Sequence, residues 1–334
     1  MSKLGILLTN IGTPNSSEPN DVGRYLSEFL MDPYVIDIPE ILRWFLVKVI
    51  IVPKRKYASS EAYKKIWTKE GSPLLVNSQK LSTKLKEHLG SGFSVKIGMR
   101  YSNPSIAQAL KEFRDEQISR LLVVPMYPQF ADSSSTSSIE KVKFEDPGVP
   151  MTALDAFYNQ PGFIRSYAEV IRENLNGKSV DHYLFSYHGL PERQIQRLHP
   201  NHCFQTKNCC ESVGSQNQNC YRAQCVKTTR ELTATLGLRL DQYSFSFQSR
   251  LGRTKWIDPY TDFVLPELAQ KGVKRLAVVC PSFVADCLET LEEIGIRGRK
   301  DFIKAGGQDL YLVSCLNDHP HWCQELAQII KAAT

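Results

Sequence analysis

Short apolar runs alternate with amphipathic stretches along the whole chain, a pattern typical of strands that alternate with helices. In the first half, the apolar runs predict strands at 4–9, 95–99, 121–127 and 151–156. In the second half, they predict strands near 182–187, 242–247, 274–280 and 309–315, and a last helix near 320–332. Two such sets of four strands predict an α/β fold with two Rossmann-like, doubly wound domains and parallel sheets.

The predicted domains are an N-terminal one at 1–160 and a C-terminal one at 161–334. The second domain carries a cysteine-rich insertion at 194–220. We expect the active-site cleft between the two domains, because domain interfaces are preferred positions for ligands. Whether the last helix packs back on the first domain is left open.

Composition and charge exclude several classes of protein. The net charge is only +6, and the basic residues do not form a block, so we expect no nucleic-acid partner. Neither a G-x-G-x-x-G motif after the first strand nor a P-loop motif is present, which disfavours a nucleotide enzyme. The first strand starts almost at once, without a signal-peptide pattern, so we expect a cytoplasmic protein.

The longest apolar window, 41–52, is interrupted by Arg43 and Lys48. It is too short to span a bilayer. An amphiphilic surface helix that touches the inner face of the membrane would have this composition. A buried helix is the competing interpretation.

Two polar groups follow buried strands of the second domain. His188 ends the strand near 182–187, and Glu289 follows the strand at 274–280, three residues after Asp286 and four before Glu293. This spacing predicts that the three carboxylates share one face of a helix. Ligands of open α/β sheets bind at the carboxyl ends of strands. We therefore expect a divalent-metal or proton-transfer pair there, although a single histidine is often a core residue.

Several motifs make the chain resemble ferrochelatase, in family order from about residue 4 to 330. They include LTNIGTP at 8–14, GMRY at 98–101, PMYPQF at 125–130, SYHGLP at 186–191, FQSR at 247–250 and FVADCLETLEEI at 283–294. The resemblance implies a chelatase-like fold and insertion of ferrous iron into protoporphyrin IX, which forms protohaem in the last step of haem synthesis. His188 matches the family's active-site histidine, and Glu289 matches its glutamate partner. Iron is then the substrate, and both residues are expected to contact it.

The resemblance also suggests residues that contact the porphyrin. For the aromatic ones, ordinary core packing is an equal alternative. One departure from the family pattern is Cys287, where several relatives have histidine. The candidate substrate-binding residues are Ile11, Arg100, Tyr101, Tyr127, Ser133, Ser134, Gln248 and Trp256.

Four of the nine cysteines lie in the polar insertion, at Cys203, Cys209, Cys210 and Cys220. Four thiolates can hold a tetrahedral zinc ion or a [2Fe-2S] cluster. Spacing alone favours zinc. Since some ferrochelatases contain a [2Fe-2S] cluster, the resemblance shifts the expectation to the cluster, with zinc as the alternative.

Two other functions stay open at this point. A coproporphyrin ferrochelatase would share the fold and the motifs. A non-catalytic carrier of tetrapyrroles or metals would have no need of a proton acceptor opposite a metal ligand, and the pair formed by His188 and Glu289 argues against it.

Overall fold

The computed structural model describes residues 3–206, 208–252 and 254–334. The chain forms two compact units. The first comprises Met1–Tyr127, Asp132–Asp155 and Leu326–Thr334, and the second comprises Pro128–Ala131 and Ala156–Glu325. The domain boundary at residue 160 stays a prediction.

The first unit is built on a parallel sheet of four strands in the order β2-β1-β3-β4. The central strand β1 is buried along almost its whole length, as expected for a strand with helices on both faces. The strands are β1 (Leu4–Gly12), β2 (Phe93–Tyr101), β3 (Arg120–Pro125) and β4 (Met151–Ala153). The helices are α1 (Pro19–Met31), α2 (Glu40–Trp44), α3 (Val52–Ile66), α4 (Pro73–Leu89), α5 (Ile106–Asp115) and α6 (Ser137–Phe144), with π-helical segments at Phe45–Ile51 and Asp132–Thr136.

The second unit repeats this plan, with strand order β6-β5-β7-β8 and all pairs parallel. Its strands are β5 (His182–His188), β6 (Tyr243–Gln248), β7 (Arg275–Val279) and β8 (Asp309–Leu312). Its helices are α7 (Pro161–Leu175), α8 (Glu192–Leu198), α9 (Tyr221–Leu236), α10 (Thr261–Gln270), α11 (Leu288–Thr290) and α12 (Arg299–Lys304), with a 3₁₀ turn at Leu240–Gln242 and a π-helical segment at Leu291–Gly298. The last helix, α13, spans Pro320–Ala332.

Each sheet has its own apolar core, formed where a helix covers the strands. In the first unit, Phe113 of α5 packs with Leu7 and Val123, and in the second, Phe302 of α12 packs with Leu184. Full burial of such a side chain stabilises the fold by about 1.5–3 kcal/mol. All eight strands predicted from the apolar runs are present, with ends that differ by a few residues.

The apolar window at 41–52 is helical and lies on the surface. Ile41 is 83% exposed, and Trp44 and Phe45 are 53% and 54% exposed. The alternative of a buried helix is therefore wrong. Arg43 is buried instead, because its guanidinium donates to the carbonyl oxygens of Ile36 and Ile38, each at 3.1 Å. None of the described helices combines the length and the apolar character needed to cross a bilayer.

Candidate functional site

His188 is the last residue of strand β5 and lies beyond the pairing of that strand with β7. The last paired residue of β5 towards β7 is Phe185, opposite Val279, whereas on the other side His188 itself pairs with Gln248 of β6. The imidazole is half-buried, with its ring centroid 6.5 Å from that of Trp256 and 6.3 Å from that of Phe283. One side of the ring is therefore enclosed by aromatic residues while part of it remains accessible.

The backbone at His188 is held by hydrogen bonds on both sides. Its N–H donates to Ser282 Oγ at 3.0 Å, and its carbonyl accepts from the hydroxyl of Tyr221 at 2.7 Å. The next N–H, of Gly189, donates to the carbonyl of Gln248 at 2.7 Å. A Cβ atom on Gly189 would lie 2.8 Å from that oxygen, so glycine is required by this close approach.

Gln248 connects the strand end to the segment that carries Glu289. Its side chain is buried, accepts from Ser186 Oγ at 2.7 Å and donates to the carbonyl of Glu289 at 2.7 Å. These bonds make Gln248 a support for Glu289 within the second unit. Trp256, the other candidate here, donates its indole N–H to the carbonyl of Leu251 at 2.9 Å, which leaves its ring beside His188.

The expectation that Asp286 shares a helical face with Glu289 and Glu293 is wrong. Helix α11 begins only at Leu288, and the preceding Cys287 has an extended backbone. Asp286 is buried and accepts hydrogen bonds from Asn317 Nδ2 at 2.7 Å and from Thr290 Oγ1 at 3.2 Å. Its carboxylate therefore connects the loop before α11 with the loop that carries Asn317.

Glu293, in the π-helical segment, is the carboxylate that joins Glu289 near the histidine. It accepts from the N–H of Ser249 at 2.8 Å and from its hydroxyl at 2.6 Å. Burial raises the pKa of Glu293, and the negative charge of Glu289 adds to that shift. The Ser249 hydrogen bond and the charges of Arg297 and His188 oppose it. Glu289 and His188 are thus both electrostatic neighbours of Glu293. The sequence pattern predicted that Glu293 lies in a helical segment after Glu289. It did not predict the contact with Ser249, whose left-handed φ of +67° has no signal in the sequence.

In the first unit, two candidate residues belong to a buried ion-pair network around Asp32. The hydroxyl of Tyr101 donates to Asp32 at 2.8 Å, Arg100 forms an ion pair with the same carboxylate, and Ser137 donates to it at 2.6 Å. The Arg100 Nε also donates to Ser137 Oγ at 2.7 Å. The hydroxyl of Tyr101 and part of the Arg100 guanidinium are therefore used inside the unit.

The other candidates of the first unit are less enclosed. Ile11 lies near the end of β1, and Ser133 and Ser134 lie in the π-helical segment Asp132–Thr136; all three side chains are half-buried. Tyr127 follows β3, and its hydroxyl is 3.3 Å from Ser138 Oγ. Burial raises the pKa of Tyr127, so it is a neutral hydrogen-bonding group.

The four cysteines of the insertion converge as two close pairs. The sulfur of Cys203 is 3.7 Å from that of Cys220, and the sulfur of Cys209 is 3.7 Å from that of Cys210. Cys209 is half-buried and the other three are buried. Contact with Cys220 and burial raise the pKa of Cys210, while the neighbouring Arg222 opposes the shift.

A further group of possible metal ligands lies elsewhere in the second unit. Among the described residues, Glu169, Glu173 and His319 are the one set of three ligand atoms that all lie within 4.8 Å of one another. His319 Nε2 is 3.1 Å from the Glu173 carboxylate, as in an ordinary ion pair. The same search shows that, in the described part of the chain, no three cysteine sulfurs meet this limit.

Comparison with known proteins identifies the family. The family model of ferrochelatase matches residues 3–334. The chain belongs to the ferrochelatase family. It is 47% identical over 331 residues to the ferrochelatase of Coxiella burnetii (strain Dugway 5J108-111), covering 99% of this chain and 94% of the relative. It is 46% identical over 336 residues to the ferrochelatase of Bdellovibrio bacteriovorus, covering 99% and 100%.

Membership of the ferrochelatase family confirms the resemblance read from the motifs and the expectation of a metal-inserting enzyme. It also confirms the expected function, insertion of ferrous iron into protoporphyrin IX to form protohaem. Coproporphyrin as substrate and a non-catalytic carrier are not favoured.

Solved structures confirm the fold class of this ferrochelatase. SirB from Bacillus subtilis with Fe³⁺ aligns with a TM-score of 0.55 at 12% identity, covering 98% of this chain and 94% of that one. The sirohydrochlorin chelatase SirB in complex with cobalt aligns with the same TM-score at 10% identity. At such low identity the likeness concerns the fold alone, which is chelatase-like.

Proposed function

We propose that His188 and Glu289 carry the metal-insertion step of this ferrochelatase, with Glu293 beside them. The observation that supports this most strongly is the half-exposed imidazole of His188 on a strand end whose backbone is fixed on both sides. A fixed imidazole and carboxylate suit Fe²⁺, which accepts nitrogen and oxygen ligands. Since iron leaves with the product, it is a substrate and not a resident cofactor.

Metal insertion also requires two proton transfers. As Fe²⁺ enters the macrocycle, two pyrrole N–H groups each lose a proton, and the iron–porphyrin product carries no net charge at its centre. A neutral imidazole is a good acceptor near pH 7. In our proposal, His188 takes one pyrrole proton, the Glu289 carboxylate takes the other, and the carboxylate of Glu293 stabilises the imidazolium that results.

Two residues of the second unit are proposed to serve the porphyrin site. Trp256 offers an aromatic wall next to His188, and Gln248 acts by holding the Glu289 segment. In the first unit, Arg100 and Tyr101 are proposed to act through Asp32, because both donate to that carboxylate. The remaining proposed contacts with the porphyrin are Ile11, Tyr127, Ser133 and Ser134.

We further propose that Cys203, Cys209, Cys210 and Cys220 bind a [2Fe-2S] cluster. Four thiolates around one zinc ion, with Zn–S bonds of about 2.3 Å, place every pair of sulfurs about 3.8 Å apart. A two-iron cluster instead takes two thiolates on each iron, which gives two close pairs that are farther from each other. The close pairs at 3.7 Å match two thiolates on each iron, and Cys210 also contacts Cys220, which links the pairs. Among the described residues, no three cysteine sulfurs lie within 4.8 Å of one another, as they would in a zinc site.

Charge and composition support the same assignment. Four thiolates with a cluster core carry net negative charge, and the Arg222 guanidinium lies beside Cys210. A bound cluster would supply a redox-active centre and would order a polar segment that has little apolar surface of its own. Cys225 is buried in α9 and is not included in the ligand set.

The exposed apolar surface of the 41–52 segment is proposed to contact the membrane. Five of its apolar side chains are about half exposed or more, and Lys48, Lys54 and Arg55 beside them are also exposed. Such a helix inserts its apolar side chains at the level of the headgroups while its cations attract anionic lipids. We propose a cytoplasmic protein bound peripherally to the inner face of the membrane. The five apolar residues are Ile41, Leu42, Trp44, Phe45 and Val49.

The first prediction concerns His188→Ala. We expect turnover to fall by at least ~10²-fold, because an essential ligand or proton acceptor is lost. Porphyrin affinity, measured by fluorescence quenching, should change little, since the strand-end backbone contacts remain. His182→Ala is the control, because that imidazole lies at the other end of β5. Turnover near the wild-type value in His188→Ala would contradict the assignment.

The second prediction compares three amides in steady-state assays with Fe²⁺ and protoporphyrin IX. Glu289→Gln keeps the shape of the side chain but removes its charge, so turnover should fall by at least about ten-fold, with a smaller change in KM for porphyrin. Glu292 is buried and paired with Arg297 at 3.6 Å, so Glu292→Gln serves as the control. If Glu292→Gln or Glu293→Gln lowers turnover far more than Glu289→Gln does, the main carboxylate is not Glu289 but lies on the next turn.

The third prediction concerns the cysteine site. We expect purified protein to show the visible absorption of a [2Fe-2S] cluster, with two iron atoms and two sulfides per chain. Replacing any one of the four cysteines by serine should remove this absorption, whereas Cys225→Ser should keep it. Elemental analysis decides between the metals, because one zinc per chain without iron would replace the cluster by a zinc site.

The fourth prediction tests membrane contact by co-sedimentation with vesicles that contain anionic phospholipid. The double variant Trp44→Ser and Phe45→Ser should lower the binding constant by at least ~10²-fold, since each buried aromatic contributes about 1.5–3 kcal/mol. Phe144→Ser removes an aromatic that is 81% exposed outside this segment and is the matched control. Equal binding by the double variant and the wild type would refute the proposed surface.

A further inference from the structure

The cysteine site and the histidine site are joined by two consecutive residues. Cys220 precedes helix α9, and Tyr221 is the first residue of that helix. The sulfur of Cys220 belongs to the close pair with Cys203, while the hydroxyl of Tyr221 donates to the carbonyl of His188 at 2.7 Å. A displacement of Cys220 therefore moves the residue that holds the strand end.

Tyr221 is enclosed by the structure that it supports. Its side chain is 6% exposed, and burial raises the pKa of its phenol well above the usual range, which keeps it a hydrogen-bond donor. Its hydroxyl also interacts with Ser282, the residue that accepts the N–H of His188. The two peptide groups that flank the His188 side chain are thus held by one connected pair of hydroxyl groups.

The cysteine segment is held by backbone turns, by its sulfur contacts and by Asn217. The buried side chain of Asn217 donates to the carbonyls of Cys209 at 3.0 Å and Ser212 at 2.8 Å, and the backbone carbonyl of Asn217 accepts from the N–H of Cys220 at 2.8 Å. This links the two sulfur pairs through the backbone. Cys220 is therefore linked to both sulfur pairs, through its own sulfur and through Asn217.

Helix α9 has a second attachment to β5 that is independent of the cysteines. The hydroxyl of Tyr187 lies 2.8 Å from Thr229 Oγ1, two turns farther along the helix. This contact keeps the helix on the sheet when its first turn loosens. Loss of order in the cysteine segment should therefore act at Tyr221 and not on the whole of α9.

We infer that Tyr221 is a positioning residue that couples occupancy of the four-cysteine site to the alignment of His188 for metal insertion. The inference rests on the proposed metal centre and on the proposed role of His188. It assigns the insertion a function in the reaction: when the centre is bound, Cys220 is fixed, Tyr221 holds the His188 carbonyl, and the imidazole is aligned. When the centre is lost, the hydrogen bond is lost and the imidazole is misaligned.

The first test is Tyr221→Phe in the holoenzyme, with Tyr187→Phe as the matched control. Loss of one buried hydrogen bond that aligns the imidazole should lower kcat about ten-fold. The KM for porphyrin should stay within about two-fold, and the visible absorption of the cysteine site should be unchanged. Tyr187→Phe should keep kcat near the wild-type value. A wild-type kcat in Tyr221→Phe, or an equal loss in both variants, would overturn the inference.

The second test is a double-mutant cycle. Cys203→Ser, which removes the centre, should lower kcat, and adding Tyr221→Phe should lower it no further than about two-fold, because both changes break one path. Multiplicative losses would overturn the coupling. Cys209→Ser, at the half-buried cysteine, replaces Cys203→Ser if that variant does not fold.

If neither cysteine variant folds, amide hydrogen exchange in the cluster-loaded tyrosine variants tests whether Tyr221 holds the strand end. The Gly189 amide, bonded to the carbonyl of Gln248, should exchange at least about ten-fold faster in Tyr221→Phe than in Tyr187→Phe. Equal exchange rates would reject the inference. The proposed function fails separately: a protein without iron or zinc refutes the metal centre, whereas a metal-loaded Tyr221→Phe with wild-type turnover refutes only the role of Tyr221.

Discussion

The hydrogen bonds that fix the backbone of His188 are the constraint on which the site depends. A strand that extends past its neighbour loses the ladder that would orient it, and here β5 continues three residues beyond its last pair with β7. Ser282 and Tyr221 replace that ladder with side-chain partners, while the pairing with Gln248 of β6 continues on the other side. In our proposal, His188 binds a metal and releases it, which requires this fixed position, because small misplacements of a reacting group cost large factors in rate.

The carboxylates of the chain divide into two kinds by their hydrogen-bond partners. Asp32 and Asp286 are buried and accept several hydrogen bonds from side chains and backbone, so they have little capacity for another ligand. Removing such partners would leave a buried charge uncompensated, at a cost of about 3–5 kcal/mol. Glu289 and Glu293 are half-buried instead. In our proposal, this difference in solvation makes the second pair available for a passing cation.

The hydrophobic pattern predicted the strands well because burial on both faces leaves a continuous apolar run, as at 121–127 and 274–280. It failed where partners distant in sequence decide the structure. The start of α11 could not be placed, because Asp286 is held outside the helix by Asn317. Arg100 and Tyr101 end strand β2, a position typical of ligand-binding residues, yet both donate to Asp32, 68 and 69 positions away. The pairing of the cysteine sulfurs likewise depends on the fold of the insertion and not on spacing.

The proposed function requires two kinds of metal chemistry to stay separate in the second unit. Thiolates bind iron tightly, which suits a resident centre but would trap a metal that must move on to a porphyrin. Cys287 lies next to Glu289 and is the cysteine that threatens this separation. Burial and the adjacent Glu289 charge raise the pKa of the Cys287 thiol well above its usual range. Because the thiolate is the metal ligand, this shift makes Cys287 a poorer ligand than the imidazole and carboxylate that we propose for the substrate metal.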